Sequence, residues 1–181
     1  MKETEILKVG GVILYPTDTV WGLGCDATNE EGIKKILEIK GRGKGKHLLL
    51  LVKDEDMLKK YVEQIPDLAK ELLKSSSCPT TIIYPKAKNL PLHLLSENGS
   101  IGIRIPNHDY CQRLLDELNV PLVSTSANLS GMPTPQSFTD IDERIKNAVD
   151  YIAEEERENN EIKQPSAIFK IDLEGGLERI R

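Results

Sequence analysis

Short apolar runs rich in β-branched residues recur along the chain, and such runs are typical of buried strands. The clearest runs predict strands over residues 12–15, 48–52, 80–84, 100–105 and 120–124. Three weaker runs in the last third predict strands over residues 149–153, 166–171 and 177–180. The run at 48–52 is apolar without interruption, as expected for a strand that is covered on both faces.

Between these strands, apolar residues recur at intervals of three and four, which predicts helices. The helical segments are residues 28–40, 54–62, 66–74, 107–118 and 139–148. Thr28 and Glu31 have the spacing of a capping box at the start of the first helix, and Gly41 is expected to end it. Asn107 or Asp109 is expected to cap the fourth helix.

Strands and helices alternate along most of the chain, which predicts an α/β domain. Some predicted strands follow one another without a helix between them, as from residue 84 to residue 101. Parallel neighbours need a crossover connection and antiparallel neighbours do not, so we expect a mixed sheet. The length of 181 residues is typical of one domain, which we expect to span residues 1–181.

Residues 14–26 differ from the other predicted strand ends because polar groups, an indole and glycines follow one another there. Pro16 interrupts the strand pattern, since it has no N–H for a ladder. Two threonines and an aspartate come next, beside Trp21. Gly22 and Gly24 then predict a turn in which the backbone comes close to another group. The alternative is a polar strand end at which Trp21 anchors the turn.

Composition narrows the classes of protein that fit. Hydrophobic residues make up 39% and charged residues 29%, as in ordinary soluble proteins. A net charge of −5 and an aromatic content of 4% argue against a nonspecific nucleic-acid binder and against a base-stacking platform. Three widely spaced cysteines predict neither a zinc site nor disulfides, so we expect reduced thiols and a cytoplasmic location. No signal peptide or membrane span is visible, so we expect no membrane partner.

A basic loop over residues 41–47 follows the first predicted helix, and its glycines alternate with cations. Lys40 and Arg42, extended by Lys44 and Lys46, are suited to an anion such as a phosphate or carboxylate. Arginine offers a planar fork of donors and lysine a mobile charge, while glycine lets the backbone approach. A solvated basic loop is the alternative interpretation of the same residues.

Hydroxyl and amide side chains follow the strand predicted at 120–124. They are Ser124, Ser126, Asn128 and Ser130. In α/β proteins ligand groups lie outside the carboxyl ends of strands, so these side chains are candidates for ribose hydroxyls or phosphate oxygens. The alternative is a turn in which these side chains cap their own backbone.

Arg104 lies between two isoleucines at a predicted strand end, so we expect it to point out of the core toward a partner. A surface ion pair is the alternative. No Ser-His-Asp arrangement, metal-ligand spacing or Walker loop is visible. Several cations and hydroxyls without an obvious nucleophile fit catalysis by positioning and charge neutralisation at a phosphorus centre.

Three motifs in chain order resemble the threonylcarbamoyl-AMP synthase family, whose domain is of the YrdC type. They are Tyr-Pro-Thr-Asp-Thr-Val-Trp-Gly at 15–22, Lys-Gly-Arg at 40–42 and Ser-Thr-Ser-Ala-Asn-Leu-Ser-Gly at 124–131. The resemblance implies a twisted mixed sheet with flanking helices and a concave, locally positive cavity. It also implies synthesis of L-threonylcarbamoyladenylate and pyrophosphate from L-threonine, bicarbonate and ATP, with Mg²⁺. The partners implied are tRNA and the proteins that transfer threonylcarbamoyl to it.

The resemblance also implies a role for each matching position. The catalytic pair would be Lys40 and Arg42. The substrate side would be bound by Thr17, Trp21, Lys46 and Arg104, which would contact threonine and its carbamoyl group or neutralise the negative charges beside them. The nucleotide would be held by Thr81, Ser124, Ser126, Asn128 and Ser166, and no residue is assigned to a metal. The sequence departs from the family at Trp21, where Tyr or Phe is usual, and at Gly43, where Pro is usual.

Two alternatives use the same cavity differently. The first is a module that binds double-stranded RNA or tRNA, or that assists ribosome assembly, without making the adenylate. The second is a carbamoyl-transfer module like those inside larger hydrogenase-maturation proteins, whose zinc-finger and acylphosphatase-like segments are not visible in this sequence.

Overall fold

A computed structural model describes residues 2–41, 48–159 and 161–181 of the chain. Its helices are α1 (Lys2–Lys8), α2 (Glu30–Ile39), α3 (Glu55–Lys59), α4 (Asp67–Ser75), α5 (Asp109–Leu118) and α6 (Glu143–Ala148). Its strands are β1 (Ile13–Tyr15), β2 (Gly22–Asp26), β3 (Leu49–Leu51), β4 (Thr80–Tyr84), β5 (Ile101–Arg104), β6 (Leu122–Ser126), β7 (Tyr151–Ile152), β8 (Ala167–Ile171) and β9 (Leu177–Arg179). Short 3₁₀ turns lie at Leu92–Leu94 and Phe138–Asp140.

The described strands form one mixed sheet in the order β7-β1-β2-β6-β3-β5-β4-β8-β9. The parallel pairs are β1 with β7, β3 with β5, and β4 with β8, while the other neighbours are antiparallel. β4 and β5 pair antiparallel and are joined by an irregular segment without a crossover helix. The prediction of a mixed α/β sheet is therefore confirmed.

The middle of the sheet is assembled from distant parts of the chain. β6 lies between β2 and β3, so Ser124 pairs with Gly24 on one side and with Leu49 on the other. The helix predicted over 107–118 is present as α5, and it buries its leucines against the sheet core. This arrangement brings the residues that follow β6 beside the end of α2, where Lys40 is the C-cap.

The turn predicted at Gly22 and Gly24 is wrong, because both glycines lie within β2, a strand that is buried along its whole length. The expected close approach does exist, but the approaching group is the ring of Tyr15 from β1. A Cβ atom on Gly24 would lie 2.7 Å from Tyr15 Cε1, and one on Gly22 would lie 3.4 Å from it. Glycine is therefore used here to make room for a neighbouring side chain, within a strand.

The capping box predicted for α2 is also wrong. Asn29 is the N-cap, and its side-chain oxygen accepts hydrogen bonds from the backbone N–H groups of Glu31 and Gly32. The Thr28 hydroxyl donates instead to the carboxylate of Asp26, at the end of β2. The predicted end of the helix is confirmed, because Gly41 follows Lys40 with a φ of +62°, a conformation that favours glycine.

Two other helix starts differ from the prediction. His108 occupies the N-cap position of α5, in place of Asn107 or Asp109. The helix predicted over 139–148 begins only at Glu143, where Asp142 caps α6. The residues before it form the 3₁₀ turn Phe138–Asp140.

Helix α1 was not predicted, because its seven residues are mostly polar. It is held through tertiary contacts with α5. The Thr4 hydroxyl donates to Glu117 at 2.6 Å, and the Tyr110 hydroxyl donates to Glu3 at 3.1 Å. None of the described helices is both long and apolar enough to cross a membrane. The cysteines Cys25, Cys78 and Cys111 are free thiols.

Candidate functional site

A cavity of about 1040 Å³ lies over one face of the sheet, between its central strands and the β4–β8–β9 edge. Its lining comes from several strands and from the irregular segment that joins β4 to β5. The predicted site residues that line it are Thr17, Thr81, Arg104, Ser124, Ser126 and Ser166. The described lining does not include Trp21, Lys40 or Asn128, and the predicted residues Arg42 and Lys46 lie outside the described residues.

The charges around the cavity are mostly positive. Among the described residues, Arg104, Lys170 and Arg181 line it together with a single carboxylate, that of Glu97. This local balance is opposite in sign to the net charge of −5 of the whole chain. An anionic ligand therefore meets a favourable local field.

Arg104 ends β5 and is the most buried of these cations, with 3% of the residue exposed. Its Nη1 donates to the Thr19 hydroxyl at 3.1 Å, and its Nη2 lies 3.2 Å from Asp18 Oδ1 without hydrogen-bond geometry. The alternative of a surface ion pair is therefore wrong, because the pair with Asp18 is buried, while Arg104 does line the cavity in which a ligand could bind. Its Nε finds no partner in the described part of the chain. Leaving a buried donor unpaired is costly, and Arg104 lines the cavity, so its guanidinium is a candidate to bind an anionic ligand there.

The loop that joins β1 to β2 is held by hydrogen bonds among its own residues, and it contacts Arg104 through Thr19. The Thr17 hydroxyl donates to the Val20 carbonyl at 2.8 Å, lies 2.9 Å from the Thr19 hydroxyl and accepts from the Thr19 backbone N–H. The Lys163 ammonium donates to the Thr17 carbonyl at 2.8 Å. These bonds follow from Pro16, which ends the strand, and from hydroxyl side chains that can turn back onto the backbone.

Lys40 is buried, with 1% of the residue exposed, and connects the end of α2 to the residues after β6. Its ammonium donates to the backbone carbonyls of Ser126 and Asn128, the second at 2.8 Å. The Asn128 amide oxygen accepts from the Ser126 hydroxyl, and its amide nitrogen donates to the Met132 carbonyl. The structure thus brings two sequence motifs together, and both Lys40 and Asn128 use their polar atoms to shape this loop.

Trp21 lies away from the large cavity. The indole is buried and packs against the Phe138 ring, with the ring centroids 4.9 Å apart. It lines a separate crevice of about 10 Å³, together with Thr17 and Lys163. That crevice has room for about one water molecule. Trp21 therefore packs beside the loop that carries Thr17, outside the lining of the large cavity.

The opposite wall of the cavity is built on the parallel pair β4 and β8. The hydroxyls of Thr81 and Ser166 lie 2.8 Å apart, and both residues are buried. The guanidinium of Arg181 donates to the Ser166 carbonyl at 3.0 Å. This contact holds the exposed Arg181 side chain beside Ser166, at the rim of the cavity that both residues line.

Sequence reasoning missed Lys170, Arg181 and His93, which also line the cavity. A signal for Lys170 was available, because Ser166, Ile168 and Lys170 alternate along one strand and therefore share a face. Arg181 lies two residues after the end of β9 and His93 lies in the 3₁₀ turn Leu92–Leu94, and neither has such a periodicity. No group of three or more His, Cys, Asp or Glu side chains able to hold a metal occurs in the described ranges.

The fold and the cavity define an α/β protein that presents hydroxyls and cations to an anionic ligand across the middle of one mixed sheet. A family model described as "Telomere recombination", for Sua5, YciO and YrdC, matches residues 5–181. The chain belongs to this Sua5/YciO/YrdC family.

Relatives and solved structures agree with this assignment. A protein from Pseudoalteromonas translucida called threonylcarbamoyl-AMP synthase is 39% identical over 165 residues, which cover 90% of this chain and 87% of that protein. Escherichia coli YciO has a TM-score of 0.84 at 28% identity, and the match covers 99% of this chain and 86% of YciO. A double variant of P. abyssi Sua5 has a TM-score of 0.85 at 26% identity, with 93% of this chain and 52% of that one covered. The chain thus spans about half the length of that Sua5.

Proposed function

We propose that this protein makes L-threonylcarbamoyladenylate and pyrophosphate from L-threonine, bicarbonate and ATP, for the modification of tRNA. The observation that carries the proposal is the buried Arg104 guanidinium, which faces a cavity of about 1040 Å³ surrounded by hydroxyl donors. A pocket of this size is large enough for a nucleotide and an amino acid together. Relatives at 32–39% identity are called threonylcarbamoyl-AMP synthase, which supports this activity over others.

The reaction that we propose joins a carboxylate to a phosphate. The threonine amine and bicarbonate first give a carbamate and water. A carbamate oxygen then bonds to the α-phosphorus of ATP, and the bond from that phosphorus to the β-bridging oxygen breaks, which releases pyrophosphate. Both reactants are negatively charged, so neutralisation and alignment lower the barrier more than a general base would.

The predicted site residues have different roles in this proposal. Arg104 neutralises charge at the reacting carboxylate or α-phosphate, with its geometry fixed by Thr19 and Asp18. The hydroxyls of Thr81, Ser124, Ser126 and Ser166 contact the nucleotide, with Ser124 as a donor and Ser126, whose hydrogen goes to Asn128, as an acceptor. Thr17 lies on the threonine side. Arg42 remains the proposed catalytic residue, and Lys46 and Trp21 the proposed supports of the substrate side. Lys40, which the resemblance pairs with Arg42, is proposed as a positioning residue. We further propose that Lys40 acts through the loop that it holds, as does Asn128.

Mg²⁺ enters this proposal bound to the phosphates of ATP, as part of the substrate. We also propose that residues 1–181 are one YrdC-like domain, that the protein works in the cytoplasm, and that its product passes to the proteins that transfer threonylcarbamoyl to tRNA.

The test is pyrophosphate release from ATP, with threonine and bicarbonate each omitted in turn. We expect release only when both are present, together with a new adenylate detected by mass spectrometry. Release that needs neither, or no release at all, would contradict the proposal. A filter-binding assay with tRNA then tests the alternative, since an RNA-binding module would bind tRNA with a steep salt dependence and without ATP.

A further inference from the structure

Tyr15 reaches across a neighbouring strand to the cavity. Its hydroxyl donates to Ser124 Oγ at 2.7 Å, and both residues are buried. Tyr15 ends β1 and Ser124 lies in β6, so the ring must cross β2, which separates them. Gly24 leaves the space for that crossing, because a Cβ there would lie 2.7 Å from Tyr15 Cε1, whereas a Cβ on Gly22 would only touch the ring. Three strands, β1, β2 and β6, thus form the path from the Tyr15 ring to Ser124.

The bond fixes which way the Ser124 hydroxyl can act. A serine hydroxyl has one hydrogen to donate and can accept from others. Ser124 Oγ accepts from Tyr15 and makes no other hydrogen bond to the described residues. Because Ser124 lines the cavity, its own hydrogen is available to an acceptor there.

The phenol is a dependable donor. Burial raises the pKa of Tyr15 well above its ordinary value, and the nearby Cys111 thiol adds to the rise. The hydroxyl of Tyr15 therefore stays protonated near neutral pH and has a hydrogen to donate, and the geometry of the contact makes Ser124 Oγ its acceptor. The ring itself is held by Tyr110, whose centroid lies 6.3 Å away.

We propose that Tyr15 is a positioning residue, whose hydroxyl holds Ser124 as a hydrogen-bond donor toward an anionic oxygen of the substrate. This role rests on the proposed function, because carboxylates and phosphates present only acceptors to Ser124. The arrangement favours ligands that place a hydrogen-bond acceptor next to Ser124. A ligand with a donor there is disfavoured, because its hydrogen would face the hydrogen of the Ser124 hydroxyl.

The experiment is a double-mutant cycle with Tyr15→Phe, Ser124→Ala and the double variant. Tyr15→Phe removes one oxygen and keeps the ring. We expect it to lower kcat/KM for pyrophosphate release about three- to tenfold, the range that corresponds to one ordinary hydrogen bond. In the Ser124→Ala background we expect Tyr15→Phe to have no further effect, because Tyr15 acts through Ser124. Independent, multiplicative losses would indicate a merely structural role and would overturn the proposal.

Tyr84 supplies the matched control. It is also a buried tyrosine of this sheet, and its hydroxyl has no hydrogen-bond partner among the described residues. Tyr84→Phe is therefore expected to leave kcat/KM unchanged. A loss equal to that of Tyr15→Phe would mean that any buried phenol matters, and would overturn the specific role of Tyr15.

Two readouts keep this proposal separate from the proposed function and from misfolding. Calorimetric affinity for ATP is measured over the same cycle, so coupling between positions 15 and 124 is observable even if the wild-type protein releases no pyrophosphate. Proton NMR of the wild-type protein tests the contact without any variant. A slowly exchanging Tyr15 hydroxyl resonance with an Overhauser effect to the Ser124 β protons supports the proposal, and its absence at low temperature contradicts it.

Discussion

The cavity has two sides that are built differently. The central side consists of β2, β6, β3 and β5 with the residues that follow β6, and its polar side chains are buried and bound to one another. The edge side consists of β4, β8 and β9, and apart from the buried pair of Thr81 and Ser166 it presents the cations Lys170 and Arg181, which are exposed at the rim. On the central side a substitution disturbs protein and ligand together. On the edge side a substitution of either exposed cation is expected to change ligand affinity alone.

The largest effect is expected on the central side at Arg104. Arg104→Ala leaves the Asp18 carboxylate, whose side chain is 7% exposed, without its cation. Removing one partner of a buried ion pair costs about 3–5 kcal/mol, so we expect the free energy of unfolding to fall by that amount in urea denaturation. Activity should be lost as well. Adding Asp18→Asn as a control should restore part of the stability but none of the activity. If Arg104→Ala is as stable as the wild-type protein, the central side is not organised as described.

A smaller loss of stability is expected at Lys40. Lys40→Met keeps the length of the side chain but leaves the carbonyls of Ser126 and Asn128 without their ammonium donor. Unpaired buried acceptors cost about 1–3 kcal/mol, and we expect a loss in this range together with at least a tenfold lower kcat. The same change at Lys34, which lies exposed on the same helix and pairs with Glu31, is the control and should alter neither quantity measurably. A fall in activity with unchanged stability would place Lys40 in direct contact with substrate instead.

The smallest effect on stability is expected on the edge side. Arg181→Gln should raise the KM for ATP about three- to tenfold and change the free energy of unfolding by no more than about 0.5 kcal/mol. Its effect should weaken as salt is added, because the cation is exposed. Arg179→Gln, two residues earlier on β9 and outside the described cavity lining, is the matched control. Equal effects of both variants would mean that the rim acts only through its overall charge.

Sequence reasoning worked where one local signal dominates. The five residues of β4 were predicted with their observed bounds, because a β-branched run lies between a proline and a second proline. The end of α2 was predicted for the same reason, since Gly41 is the residue type that a left-handed C-terminal position needs. The mixed sheet followed from the missing crossover helix between β4 and β5.

The failures have a common cause, which is that tertiary contacts decided the outcome. Gly22 and Gly24 indicate a turn by themselves, and only the Tyr15 ring from another strand explains them as strand residues. Arg104 has no nearby carboxylate in sequence, and Asp18 reaches it only through the fold. In the candidate site, the hydroxyls that line the cavity were found from their position after strands. The internal bonding of Lys40 with Asn128, which are far apart in the chain, was not predictable.

The order of the strands has a consequence for folding during synthesis. β2 ends at Asp26, yet its partner β6 begins only at Leu122, so the two pair across most of a hundred residues. Contacts this distant in sequence form late and slowly compared with local ones. The β1–β2 hairpin therefore leaves the ribosome with both edges unpaired, since β2 waits for β6 and β1 waits for β7, and both edges are exposed to other nascent chains in the meantime. The arrival of β6, which supplies Ser124 and Ser126 to the cavity, thus pairs the edge of β2 first, and the edge of β1 is paired only when β7 follows.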